Sequence, residues 1–220
     1  MALDDGLDDA PEADWGTHLT RLALAGALGR AGRWLLDLPA LAQPYACASS
    51  LCAPGRRSPR ARSCCADLDL SPTPEERAAI AARLPEVAAA MGDDPRWRAG
   101  APRWHDGERL TRPGRRCVFA RATADGLSCA LHDLGLKPAP CRLFPLAVVD
   151  LGEGRRLLTA IHRTTAAALA SRPARAFPCL GRPDAPALLT SEAAVAAALL
   201  GPRIFEAAEA AVARYRAGAC

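Results

Sequence analysis

The sequence predicts an α+β fold: a small, loop-rich cysteine-cluster domain with short strands and a hairpin, flanked by N- and C-terminal helices. Three observations predict it. Leucines recur at near-helical spacing at one end, and an alanine-rich tail carries two further helical stretches. Between them, short apolar runs alternate with Pro-, Gly- and Arg-rich segments that hold eight of the nine cysteines. With 220 residues the chain is long enough to bury one hydrophobic core. Half of it is hydrophobic by count, but 50 residues are alanine and only 5% are aromatic, so small side chains dominate. The 17 glycines and 19 prolines are too few for a collagen or a wholly disordered chain.

The elements follow in order. Residues 1–16 read as a flexible acidic leader, with six acids and no base in the first 14 positions. Residues 17–43 read as an N-terminal helical segment. Leu19, Leu22, Leu28, Leu35 and Leu38 predict an amphipathic helix over 17–38 that stops before Pro39. Residues 44–62 are rich in Pro, Gly and Arg and read as loop. Thr73-Pro74-Glu75-Glu76 spells a helix start: Thr73 as cap, Pro74 in the first turn, and Glu76 closing a capping box. Ile80, Leu84, Val87 and Met91 form the buried stripe of that helix, which Pro85 is expected to kink. Residues 92–116 read as a surface excursion.

Short strands come next, 117–120 and 127–131, joined across Asp125-Gly126. A longer hairpin pairs 143–151 with 156–161 through Gly152-Glu153-Gly154. Helices return at 191–200 and 203–216, interrupted by Gly201-Pro202. The expected division is thus the leader, the 17–43 helix, a cysteine-cluster domain over 44–186 and a helical hairpin over 187–220.

Charge and export signals bear on compartment. The first residues lack the basic start and apolar run of a secretory signal, and the first apolar stretch, 22–28, is too short to span a bilayer. The expectation is a cytoplasmic protein with no membrane partner. Structural disulfides are rare in that compartment, so nine cysteines point to metal ligation or redox chemistry.

The candidate ligands are Cys47, Cys52, Cys64, Cys65, Cys117, Cys129, Cys141 and Cys179, while Cys220 ends the chain. Cys47 and Cys52 stand as C-x4-C, Cys64 and Cys65 are adjacent, and eleven residues separate Cys117 from Cys129 and Cys129 from Cys141. These are not the paired knuckles of a zinc finger, nor the tight run of a bacterial ferredoxin. Ligands need only meet in space, and eight thiols exceed the four that one zinc ion or one [4Fe–4S] cluster takes. His132, three residues from Cys129 on an expected strand, reads as a hydrogen-bonding core residue. His18, His105 and His162 have no cysteine close in sequence and read as ordinary histidines. Arg142 follows a candidate ligand directly, where a cation would tune an anionic cluster, or would simply face solvent.

The stretches Cys117-Val-Phe-Ala, Cys129-Ala-Leu-His132 and Lys137-Pro-Ala-Pro-Cys141-Arg-Leu-Phe144-Pro145 resemble the YkgJ-type cysteine-cluster family, described as a zinc- or iron-chelating domain. Cys47, Cys52 and the Cys64-Cys65 pair resemble that family's N-terminal cysteines, and Phe177-Pro178-Cys179 its late cysteine. The resemblance spans residues 45–182. It departs where eleven residues, rather than a few, separate Cys52 from Cys64. It implies that the eight cysteines are metal ligands.

No Walker loop, G-x-G-x-x-G, H-E-x-x-H or G-x-S-x-G occurs, nor the C-x3-C-x2-C run of radical enzymes. The basic runs 56–62 and 96–116 carry no recognisable nucleic-acid motif and read as solvated loops, and no nucleic-acid partner is expected. The favoured reading is a metal-binding protein holding a [4Fe–4S]-type iron–sulfur cluster, with a redox, sensing or maturation role. The alternatives are a cluster-dependent protein-modifying enzyme, similar to lysine methylases of flagellin, and a zinc (Zn²⁺) stabilised adaptor docking a protein partner through its terminal helices.

Overall fold

The computed structural model describes residues 15–47, 64–67, 70–113, 116–123, 126–161 and 177–218. The acidic leader up to position 14, Cys52, His162, Cys220 and the basic run 56–62 lie outside the described residues. The fold is mixed α and β, as expected. In chain order it runs α1 (Trp15–Leu24), β1 (Leu28–Ala31), β2 (Trp34–Asp37), α2 (Leu38–Ala42), α3 (Cys64–Asp67), α4 (Pro74–Ala82), α5 (Leu84–Met91) and α6 (Pro95–Gly100). After a 3-10 turn come β3 (His105–Asp106), β4 (Arg109–Leu110), β5 (Ala120–Thr123), β6 (Gly126–Cys129), α7 (Ala130–Asp133) and α8 (Ala139–Leu143). The chain continues with β7 (Leu146–Asp150), β8 (Arg156–Ala160), α9 (Leu188–Ser191), α10 (Ala193–Leu200) and α11 (Pro202–Arg216).

These elements form two compact units, Met1–Cys47 with Pro145–Cys220, and Ala48–Phe144. This division differs from the expected 44–186 domain, because strands β7 and β8 complete a sheet begun at the N-terminus.

In the first unit, a four-stranded sheet has the order β1-β2-β8-β7. The β1–β2 and β7–β8 pairs are antiparallel hairpins, and β2 lies parallel to β8. Leu36, Leu157 and Leu158 on the two central strands are fully buried. Helix α11 packs against α2 and β1.

The single helix expected over 17–38 is corrected here. Helix α1 ends at Leu24, where Gly26 takes φ +63° and the Ala27 and Gly26 N–H groups bond back to the Leu22 and Ala23 carbonyls at 2.8 and 3.1 Å. This is a Schellman stop, which glycine adopts without the strain of a Cβ. Residues 28–37 then fold as a hairpin whose two-residue turn starts on Gly32, φ +59°. The leucine spacing suited either structure; three glycines within seven positions, at roughly 1 kcal/mol each in a helix interior, decide for the hairpin.

In the second unit, the capping box forms as read: Thr73 Oγ1 accepts from the Glu76 N–H at 3.2 Å, and Glu76 Oε2 accepts from the Thr73 N–H at 3.0 Å. Pro85 ends α4 rather than kinking one long helix, so α4 and α5 meet at Arg83. Ile80, Val87 and Met91 are buried, with Leu84 packed beside them. The expected surface excursion over 92–116 contributes to this core instead. Trp97 and Trp104 are buried with ring centroids 5.8 and 5.7 Å from that of Phe119. Asp94 caps α6 through its Oδ1, which accepts from the Arg96 and Trp97 N–H groups, and so aims Trp97 inward.

Candidate metal centre

Of five cysteines in the second unit, Cys117 lies in its core, Cys65, Cys129 and Cys141 pack against it, Cys64 is half-buried, and none is in a disulfide. Backbone pairing ties three of their segments together. The Cys65 carbonyl accepts from the Cys117 N–H at 2.7 Å, joining the single turn of α3 to the approach to β5. The Cys117 carbonyl in turn accepts from the Ala120 N–H at 3.0 Å, and Ala120 pairs with Cys129 across the β5–β6 ladder. Cys129 closes β6 and stands at the N-terminus of α7. Cys141 arrives separately, on the five-residue helix α8.

Burial and neighbouring groups shift each of the five thiols. A side-chain hydrogen bond from Cys65 lowers the Cys64 thiol to about 7, against burial and with help from Lys137. Cys65, the donor of that pair, is pushed up by the same bond, by burial and by the charges of Cys64, Cys129 and Cys117. Burial pushes Cys117 up to about 12; Cys129 adds to the rise, while the Phe119 N–H and Arg112 oppose it. Burial also raises Cys129, opposed by the His132 and Leu131 N–H groups and by Lys137. Cys141 is pushed up to about 12 by burial and by Cys117, Cys129 and Cys64, with Lys137 again opposing. Burial thus keeps most of these thiols protonated, while Lys137 and Arg112 favour the charged form. Lys137 is the sole lysine among 28 basic residues, and it acts on three of the five.

Among the described residues, no group of three or more His, Cys, Asp or Glu side chains is arranged to hold a metal ion. Neutral buried thiols pack as small apolar groups, and ligation requires their deprotonation. The donor types themselves, five sulfurs from four segments with Lys137 and Arg112 favouring their thiolates, are those that zinc and iron–sulfur centres take.

The other candidates fall elsewhere. Cys47 is exposed and Cys179 buried in the first unit, where the Cys179 carbonyl accepts from the Ala46 N–H at 3.1 Å beside a Tyr45–Leu180 bridge. His132 is exposed on α7 rather than in the core, because the strand expected over 127–131 ends at Cys129. His105 is exposed, its Nδ1 3.0 Å from the Gly107 carbonyl. Arg142 is exposed and lies 3.6 Å from Glu76 Oε1.

Sequence reasoning missed a buried polar cluster in the first unit. His18 Nε2 and Thr159 Oγ1 bond to Asp37 Oδ2 at 2.8 and 2.7 Å, while Asp37 Oδ1 accepts from the Ala40 N–H. The one available signal was an aspartate directly before Leu38-Pro39, a helix-start pattern. No protein-family model matches this chain, and no curated protein or solved structure matches it. Among the described residues no helix is long and apolar enough to cross a membrane.

Proposed function

We propose that residues 48–144 form a thiolate metal-binding module in a cytosolic protein, holding an iron–sulfur cluster through Cys64, Cys117, Cys129 and Cys141. The observation that carries this reading is the placement of five buried or half-buried thiols, from four segments, in one compact unit, with Lys137 favouring the thiolates of Cys64, Cys129 and Cys141 and Arg112 that of Cys117. Adjacent residues rarely both reach one centre in good geometry, and the pair divides its roles. Cys64 is the readily ionised member and takes the ligand position; Cys65 donates its S–H to the Cys64 sulfur. Lys137 and Arg112 offset the negative charge that four thiolates bring. The remaining burial limits water around the sulfurs. Bound, the cluster supplies one-electron redox chemistry, which suits a role in electron transfer, sensing or maturation. The resemblance to the YkgJ-type family over the Cys117–Pro145 stretch points the same way.

The test is metal analysis of protein prepared without oxygen. Iron and acid-labile sulfide in equal amounts, lost in Cys117→Ser, is the expected result. Stoichiometric zinc alone after attempted iron–sulfur reconstitution overturns the cluster in favour of a zinc-stabilised module. Protein that takes up neither overturns the metal reading.

A further inference from the structure

We infer that Glu76 is a positioning residue for Cys141: one carboxylate both closes the capping box of α4 and holds the N-terminus of the helix that carries this thiol. Glu76 Oε2 accepts from the Thr73 N–H at 3.0 Å, which is the box. Its other oxygen, Oε1, accepts from the Ala139 N–H at 2.7 Å, 63 residues along the chain. Ala139 is the first residue of α8, and Pro138 before it receives the Cys141 and Arg142 N–H groups at 2.9 and 3.0 Å. The position of Glu76 thus passes through Ala139 and the Pro138 turn directly to Cys141. The Arg142 guanidinium, 3.6 Å from the same Oε1, adds a second hold on the helix.

The tether matters because of how the other thiols are mounted. Cys65, Cys117 and Cys129 hang on a continuous run of backbone hydrogen bonds and a β-ladder. The Cys141 helix is five residues long, too short to be stable by itself, and has prolines at 138 and 140. A hydrogen bond to an ionised carboxylate is stronger than one to a neutral acceptor. Only a group with two acceptor oxygens serves both N–H donors with one bond each; a glutamine has one carbonyl oxygen for the two.

The consequence for metal binding rests on the reading of Cys141 as a ligand, so the experiment separates the two. In metal-free protein, alkylation of each cysteine is followed by mass spectrometry in wild type, Glu76→Ala, Glu76→Gln and Thr73→Val. The readout is the Cys141 rate relative to that of Cys117, because a general loss of stability raises both together. Removing the tether raises this ratio roughly tenfold in Glu76→Ala, the factor set by one hydrogen bond to a charged group. The ratio rises less in Glu76→Gln, and stays within about twofold of wild type in Thr73→Val, which loses only the cap bond to the Glu76 N–H. Glu76→Gln keeps side-chain size and decides the question if Glu76→Ala does not fold. An unchanged ratio in the Glu76 variants overturns the inference whether or not metal binds. In iron-loaded protein, the Glu76 variants release iron to a chelator faster, with Thr73→Val like wild type. A raised ratio in protein that never takes up metal supports the tether and removes the metal reading.

Discussion

His18 Nε2 lies 2.8 Å from Asp37 Oδ2 with both side chains buried, His18 2% and Asp37 0% exposed. Asp37 ends β2, caps α2 and receives Thr159 from β8, so one carboxylate joins α1, the sheet and α2. Such a group is costly to bury unless every lone pair is used, and here the partners come from three elements.

Asp37→Asn should therefore destabilise the first unit by about 2–4 kcal/mol, since one carbonyl oxygen and one NH2 group replace the two carboxylate oxygens that now serve His18, Thr159 and the Ala40 N–H, so that set of bonds cannot be kept whole. Urea unfolding measures it. A loss under about 0.5 kcal/mol would show that the cluster is solvated or rearranges freely.

Thiol reactivity in metal-free protein should follow the shifts within the second unit. At pH 7 iodoacetamide should label Cys64 first, because its thiol is lowered to about 7 by the Cys65 hydrogen bond. Cys117 and Cys141, each pushed up to about 12 by burial, should label far more slowly than Cys64 through pH 9. The stability linkage has two opposite parts. The lowered Cys64 contributes stability that is present above the ordinary thiol value, about 8.5, and is lost as pH falls through about 7. The raised Cys117 and Cys141 contribute stability that is present below that value and lost as pH climbs toward about 12. Metal-free protein should accordingly weaken in alkali. Equal labelling of all five thiols at pH 7 would contradict the burial that sets these shifts.

Lys137 should tune this patch, and its chemistry makes the point testable. Lys137→Met removes a charge that favours the thiolates of Cys64, Cys129 and Cys141. The pH profile of Cys64 alkylation should move upward, while Lys137→Arg should leave it near wild type. A profile that does not move in Lys137→Met places the ammonium too far away, or too well solvated, to act.

What the sequence reveals of this fold depends on how local each signal is. The Thr73–Glu76 box, the Gly152–Gly154 hairpin and the break at Gly201-Pro202 are set by residues within a few positions of one another, and all form as read. The 17–38 helix fails because leucine spacing alone does not weigh the stop at Gly26. Trp97 and Trp104 are hidden by the Arg-, Pro- and Gly-rich residues around them, yet they fill the core against Phe119. The candidate cysteines can be counted in the sequence, but their grouping is a matter of topology. Strand β8 pairs with β2, so the chain around Cys179 returns to the first unit with Cys47, leaving five thiols among the described residues of the second. Glu76 is legible as a cap and not as a tether, since Ala139 is remote in sequence.

The adjacent pair offers the sharpest test of how the thiols share their work. In the proposed division of roles Cys64 ionises and Cys65 supplies the hydrogen that stabilises it, so the two substitutions should part company. Cys64→Ser should abolish iron retention, because a serine hydroxyl does not ionise near neutral pH and is a poor ligand for iron–sulfur centres. Cys65→Ser keeps a donor next to Cys64 and should retain iron close to wild-type content. Cys65→Ala loses the donor, so iron should still bind, but the reduction potential should fall, since hydrogen bonds to ligand sulfur favour the more negative, reduced form. Potentiometric titration of the two Cys65 variants, alongside iron and sulfide content for all three, checks each part. Bleaching in Cys65→Ser with retention in Cys64→Ser would reverse the assignment within the pair. Full retention in both serine variants would place the fourth ligand outside it.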